Sequence, residues 1–312
     1  MSRVAVVFTG GTISMQHDPQ AGGNRPALDG AAILARAPEV GRLADIEPID
    51  WGLVPASHLH FAQLLEIARL VDAQLARPEI DGAVVVQGTD TIEETAFAYD
   101  LLLRSDKPVA VTGAMRIPSS PDFDGSRNLA DAVRHATNVE MAGAGVVVVM
   151  GGLTIPAANA VKAHTTAMDA FQERDADQPA PTHMRLPLVP VEAVEDVHLV
   201  TAVIGIDGTL LNLLRPQRPR GVVVAATGSG NTSAELLDAA RELIADGTVV
   251  ALTTRCPGGS VAPDYAFPGG GATWQQAGAL LSRRDGPKTR VALALGLAAG
   301  LDRDALAALL WA

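Results

Sequence analysis

Seven Val-rich apolar runs constrain this chain more than any other feature: "VAVVF" at 4–8, "GAVVV" at 82–86, "PVAVT" at 108–112, "GVVVVM" at 145–150, "HLVTAVI" at 198–204, "GVVVAA" at 221–226 and "TVVALTT" at 248–254. None contains Asp, Glu, Lys or Arg. A strand exposed on one face alternates apolar and polar residues. A strand covered on both faces reads as a continuous apolar run, the mark of a parallel sheet. Amphipathic stretches of helical length lie between the runs, at 60–76, 91–105 and 233–246. Strand and helix in alternation predict an α/β fold of mainly parallel, wound sheets. The chain's 312 residues exceed what one hydrophobic core usually serves, so two domains are expected. From 178 onward, Pro179, Pro181, Pro187 and Pro190 interrupt any helical spacing, and the stretch reads as a connector. The predicted division is a larger N-terminal domain at 1–180, a linker at 181–197 and a smaller Rossmann-like domain at 198–312. "RDALAALLWA" at 303–312 predicts a terminal helix packed on the second domain.

Charge and cysteine usage remove several function classes. There are 24 basic against 35 acidic residues, a net charge of −11, and no basic cluster. That sign opposes the phosphate neutralisation on which nucleic-acid binding depends, so no nucleic-acid partner is expected. The one cysteine, Cys256, excludes an internal disulfide and a multi-cysteine metal site. The apolar run near the N-terminus is too short for a signal-peptide core or a membrane span. A soluble, cytoplasmic protein without a membrane partner is expected. Only Lys107, Lys162 and Lys288 are lysines. Unlike Arg, a lysine can act as a neutral base where its surroundings depress its pKa.

In open parallel sheets, ligands bind beyond the carboxyl ends of the strands. Four successive strand ends here supply Thr9-Gly10-Gly11-Thr12, Gly88-Thr89-Asp90-Thr91, Gly113-Ala114-Met115-Arg116 and Gly151-Gly152, the last followed by Asn159, Lys162, His164, Thr165 and Thr166. Each alone has a plain structural reading. Ser, Thr and Asp are ordinary helix caps, and Asp90-x-x-Glu93 or Thr91-x-x-Glu94 fits a capping box. A lysine alone is most often an exposed one. A Gly-rich turn after a first strand can also hold a dinucleotide, but "TGGTIS" lacks the G-x-G-x-x-G spacing and there is no G-x-x-x-x-G-K-[ST]. Taken together, the residue types suit nucleophilic chemistry. A Thr hydroxyl needs a base, neutral Lys can be that base, a carboxylate can orient it, and Gly-flanked N–H groups can hold an oxyanion. The reaction such parts perform is acyl transfer, most simply amide hydrolysis.

"TGGTI" at 9–13 followed by "QGTDTIEETAF" at 87–97 resembles the paired signatures of bacterial-type L-asparaginases. "KPVAVTGAMR" at 107–116, "DGSRNLADAV" at 124–133, the segment around Lys162, "GSGN" at 228–231 and "TTRCPGG" at 253–259 extend the match in order along most of the chain. The resemblance implies hydrolysis of L-asparagine to L-aspartate and ammonia by a homotetramer built as a dimer of dimers, with no metal or cofactor. It places each active site between the N-terminal domain of one subunit and the C-terminal domain of its neighbour. By position, it implies Thr12 as the nucleophile and Lys162 as the base. Asp90 also grips the substrate amine, and Thr89 activates or positions water; which threonine attacks first stays open. Gly11, Gly88 and Ala114 are implied as backbone contacts, Ser57 as the carboxylate binder, and Asn231 as a group reaching the partner's site. A broader glutaminase-asparaginase, another small-amide hydrolase and a non-catalytic amino-acid sensor are the rival readings. The last has no use for both threonines and the lysine.

Two departures from the family pattern bear on substrate choice. Family members carry a tyrosine on the lid after the first motif. Here that stretch is "DPQAGGNRPALDG", with Asn24-Arg25-Pro26 in the expected place. Tyr99 falls in an apolar helix pattern, which leaves Tyr265, in a Gly/Pro-rich loop, as the candidate to supply the missing hydroxyl; the alternative is an exposed loop tyrosine. Where several members present an acidic group to the substrate amine this chain has Ala266, with Asp264 two residues earlier as a substitute. His58 stands where relatives often carry Gln, and Gln87 where His is common; both residue types hydrogen-bond. His58-x-His60 lacks the further ligands a metal site needs.

Overall fold

The computed structural model describes residues 1–175, 184–190, 194 and 196–312. It divides into two compact units, Met1–Ala176 and Asp177–Ala312. Part of the linker expected at 181–197 lies outside the described residues.

The first unit contains β1 (Arg3–Phe8), β2 (Met15–Asp18), β3 (Gly23–Pro26), α1 (Gly30–Leu34), α2 (Val40–Leu43), β4 (Asp45–Asp50), α3 (Phe61–Leu75), β5 (Gly82–Val86), α4 (Ile92–Leu102), β6 (Val109–Thr112), α5 (Gly125–Ala136), β7 (Val146–Met150), β8 (Leu153–Pro156), β9 (Ala160–Lys162) and β10 (Phe171–Glu173). Its main sheet has the order β4-β1-β5-β6-β7-β8. All pairs are parallel except β7 with β8. The apolar runs are the central strands, and the alternation of side chains splits each run between two helical layers. Val4, Val6, Phe8, Val84 and Val86 share one buried cluster with Ile33, Val40, Leu129 and Val133 of α1, α2 and α5. On the other face α3 packs on β1 and β5, and α4 on β6 and β7.

The strand β4, "DIEPID", escapes the apolar signature because it is an edge. Pro48 cannot donate to a ladder, and the acidic residues blunt the open side. Two hairpins, β2 with β3 and β9 with β10, lie outside the main sheet; one carries Asn24-Arg25-Pro26 and the other Lys162.

The second unit contains β11 (Val197–Thr201), α6 (Thr209–Leu214), β12 (Gly221–Ala226), α7 (Ala234–Ala245), β13 (Val249–Thr254), α8 (Gly271–Ala277), β14 (Leu280–Leu281), α9 (Gly286–Ala298) and α10 (Arg303–Trp311). Its sheet, β11-β12-β13-β14, is parallel throughout. The face formed by Val222, Val224, Val250 and Leu252 meets Leu236, Leu237, Leu243 and Trp274, and α9 covers the other. The run at 198–204 ends as a strand at Thr201, and Val203 and Ile204 are exposed. The terminal helix α10 packs on α9 and β14. Among the described residues no helix is long and apolar enough to cross a membrane.

Candidate active site

The polar loops collect at the carboxyl edge of the first unit's sheet. After β1 the chain turns through Gly10 and Gly11, at φ +111° and +89°, a left-handed region that other residues enter only under strain. There is also no room for a side chain. A Cβ on Gly10 would lie 2.6 Å from the Val54 backbone nitrogen, and one on Gly11 would overlap the backbone of Gly88. Gly88 is equally confined, since a Cβ there would lie 2.9 Å from Ala56 Cβ and 3.1 Å from Gly11 Cα. The two threonine-bearing loops therefore touch backbone to backbone, with the turn Ala56–His58 against them. Thr12 opens a short 3-10 turn closed by Ser14, whose hydroxyl donates to the Gly11 carbonyl at 2.8 Å.

Lys162 joins this edge from the hairpin. Its Nζ donates to Thr89 Oγ1 at 2.9 Å and to Asp90 Oδ1 at 2.9 Å. Thr89 is buried. The lysine side chain is 14% exposed and that of Asp90 64%, so the pair sits at the mouth of the edge with the hydroxyl beneath it. The arrangement offers a hydroxyl, an amine and a carboxylate in one hydrogen-bonded set, the grouping that a base-activated nucleophile requires.

The other sequence candidates fall in two places. Gly11, Thr12, Ser57, His58, Gly88, Thr89, Asp90, Ala114 and Lys162 all belong to the first unit; Ser57 and His58 are exposed, Ala114 is fully buried, and Thr12 is half-buried. Asn231, Asp264 and Tyr265 belong to the second unit. The Asn231 backbone closes a tight turn with Thr227, with N–H to carbonyl bonds of 2.9 and 3.0 Å in the two directions. Its Oδ1 is buried with no protein partner among the described residues. Tyr265 is 47% exposed and lies against Phe267, with ring centroids 5.7 Å apart. Tyr99 is fully buried, and burial pushes its hydroxyl well above the usual tyrosine range, so it stays neutral. His58 and His60 gain no metal partners: among the described residues no group of three or more His, Cys, Asp or Glu is placed to hold an ion.

Several residues that organise this edge were not singled out from sequence. Neither capping box forms as expected. The residue capping α4 is Thr91, which makes no side-chain bond to the first turn; its hydroxyl donates to the Ala56 carbonyl at 3.2 Å. Glu93 instead accepts the backbone N–H of Lys162 at 2.7 Å. Asp124 precedes α5 without capping it. Its carboxylate turns back to accept the N–H groups of Met115 and Arg116, each at 3.0 Å, and the Asn128 amide at 2.9 Å. Asn128 also donates to the Gly113 carbonyl at 3.1 Å and accepts from Gly151 N–H at 3.1 Å. This pair thus ties the loop after β6, which carries Ala114, to the loop after β7. Arg116 extends the tie to the hairpin, donating to the Thr166 carbonyl at 2.8 Å. Near it, the Ser120 hydroxyl and the Arg116 guanidinium hold the Asp122 carboxyl below its usual value. A carboxylate near a helix start was the available signal for Asp124 and Glu93, but that pattern reads locally as a cap.

Residues 3–185 match the family model described as Asparaginase, N-terminal, and residues 196–310 the model described as Glutaminase/Asparaginase C-terminal domain. The chain belongs to the asparaginase family. A probable L-asparaginase of Deinococcus radiodurans is 34% identical, over 97% of this chain and 95% of that protein. An L-asparaginase of Bacillus licheniformis is 26% identical, over 95% of each. The crystal structure of a probable cytoplasmic L-asparaginase from Campylobacter jejuni, 27% identical, superposes with a TM-score of 0.89 over 99% of each chain. The asparaginase fold, two α/β units with mostly parallel sheets, thus spans the whole chain, and "TGGTI" and "QGTDTIEETAF" sit on the two loops that touch at Gly11 and Gly88.

Proposed function

We propose that this chain hydrolyses L-asparagine to L-aspartate and ammonia. One observation carries the reading: the Lys162 amine bonds both Thr89 Oγ1 and Asp90 Oδ1 at 2.9 Å, on a loop in backbone contact with the one that bears Thr12. In the proposed reaction the Thr12 hydroxyl adds to the side-chain amide carbon and gives up its proton to a neighbouring base. The C–N bond breaks, the proton leaves with ammonia, and an ester remains on Thr12. Thr89, activated by Lys162, then delivers water to that ester, and Asp90 holds the substrate amine. Gly11, Gly88 and Ala114 provide backbone contacts and Ser57 binds the carboxylate. Asn231, Asp264 and Tyr265 are assigned to the site of a neighbouring subunit in a cytoplasmic homotetramer, an assembly suggested by the family resemblance.

The direct Lys162–Thr89 bond favours a second order of events, in which Thr89 attacks first. Mass spectrometry of trapped enzyme distinguishes them. An ester on Thr12 that accumulates in Thr89→Val supports the first order, and an ester on Thr89 in Thr12→Val supports the second. The function itself is tested by ammonia release from asparagine, with glutamine assayed alongside because the family model names both activities. Faster release from glutamine makes the chain a glutaminase-asparaginase. No release from any small amide, with aspartate still bound, makes it a sensor.

A further inference from the structure

We infer that Glu93 is a positioning residue for Lys162: its carboxylate anchors the Lys162 backbone so that the amine reaches Thr89 and Asp90. The inference rests on the proposed role of Lys162 as the base. Lys162 ends β9, which among the described residues pairs only with β10. The register sets Lys162 opposite Phe171, and the next pair is hydrogen-bonded from Ala163 N–H to the Ala170 carbonyl at 2.7 Å. In an antiparallel ladder bonded and non-bonded pairs alternate, so the Lys162 N–H points out of the hairpin. A two-stranded hairpin is weakly held by itself, and an outward N–H that is part-buried costs free energy if left unmade. Glu93 Oε2 takes this N–H at 2.7 Å, a charge-assisted bond of the stronger kind.

The geometry makes this bond a ruler. Glu93 stands in the first turn of α4, three residues after Asp90 and four after Thr89, which lie in the turn that leads into the helix. One short stretch therefore grips Lys162 at both ends: Glu93 at the backbone, Thr89 and Asp90 at the amine. The side chain between is flexible, so its reach is set only if its Cα is fixed relative to Thr89. An acidic residue in a first helical turn also favours the helix dipole, and that bland role makes a different prediction. Glu93→Gln loses the charge but keeps an oxygen able to accept the Lys162 N–H, whereas Glu93→Ala loses both.

The test compares parent, Glu93→Gln and Glu93→Ala in two measurements. The first is steady-state ammonia release from asparagine. The second is the rate of Lys162 acetylation by acetic anhydride across pH, read by mass spectrometry against Lys107, which needs no turnover. If Glu93 positions Lys162, Glu93→Ala lowers kcat by about 100-fold, the scale of a misplaced group, with a much smaller change in KM. Its Lys162 labelling profile shifts, and Glu93→Gln restores both toward the parent. Parent-like kcat and labelling in Glu93→Ala overturn the inference. So does equal loss of kcat in both variants with parent-like labelling, which points to helix charge alone. A parent that releases no ammonia refutes the proposed function, and the labelling contrast then decides the positioning role by itself.

Discussion

At the scale of single residues, the site depends on which atoms are missing as much as on which are present. Gly11 combines a φ of +89° with a backbone neighbour where a Cβ would go. Gly11→Ala is expected to cost about 1–3 kcal/mol for the backbone conformation alone. It should also separate the loops of Thr12 and Thr89; urea unfolding reads the first effect and ammonia release the second. Lys162→Arg keeps a cation beside Asp90 but removes a group able to give up its proton. Turnover is expected to fall by about 100- to 10,000-fold, the worth of a general base, with unfolding unchanged. A Lys162→Arg enzyme with parent turnover refutes the base assignment. The placing of Thr89 and Asp90 at the sheet's carboxyl edge was foreshadowed by their position behind a parallel strand, whereas Lys162 reaches them from an antiparallel hairpin that the apolar pattern did not show. The partners of Glu93 and Asp124 were not foreshadowed either, because a carboxylate near a helix start has a local use that the pattern cannot tell from a distant one.

At the scale of elements, α5 holds the sheet edge together through its N-terminal side chains. Removing the Asp124 carboxylate leaves the Met115 and Arg116 N–H groups without their acceptor. Asp124→Ala is therefore expected to destabilise by about 1–3 kcal/mol in urea unfolding, and to weaken aspartate binding by loosening the loop of Ala114. The same helix carries a pH dependence near its other end. His135 is buried and its Nε2 has no protein partner among the described residues; burial pushes its imidazole below the usual histidine value. On acidification the unfolded chain takes up this proton before the folded one does, so the contribution is intact above the usual histidine value and lost as pH falls toward the lowered one. His135→Leu should flatten stability against pH as pH falls below the usual histidine value, measured by urea unfolding at each pH. The strands β5, β6, β7, β12 and β13 were legible as continuous apolar runs. The edge strand β4 and the two hairpins were not, since a strand with one open side or two short partners need not be apolar.

At the scale of the whole molecule, the proposed assignment of Asn231 to a neighbouring subunit can be tested by mixing variants. If Asn231 completes the site of a neighbouring subunit, Thr12→Val and Asn231→Ala damage different halves of it. Mixing the two variants through a dissociation and reassociation step should then restore activity that neither shows alone. Activity that stays at the level of the separate variants argues that each chain completes its own site. Light scattering after each step checks that the assembly dissociated and re-formed.

The order of residues was enough to determine that this is a wound α/β chain of the asparaginase family. Continuous apolar runs must be covered on both faces, and the two threonine motifs lie directly behind two of those runs. Only the tertiary structure decided that Gly11 meets Gly88, that Glu93 grips the Lys162 backbone instead of capping α4, and that Asp124 turns back to the loop after β6. Burial and strand pairing follow from the local pattern of apolar residues. The partner of a polar side chain follows from what folding brings to it, whether from a neighbouring loop or from tens of residues away, and the apolar pattern does not carry that information.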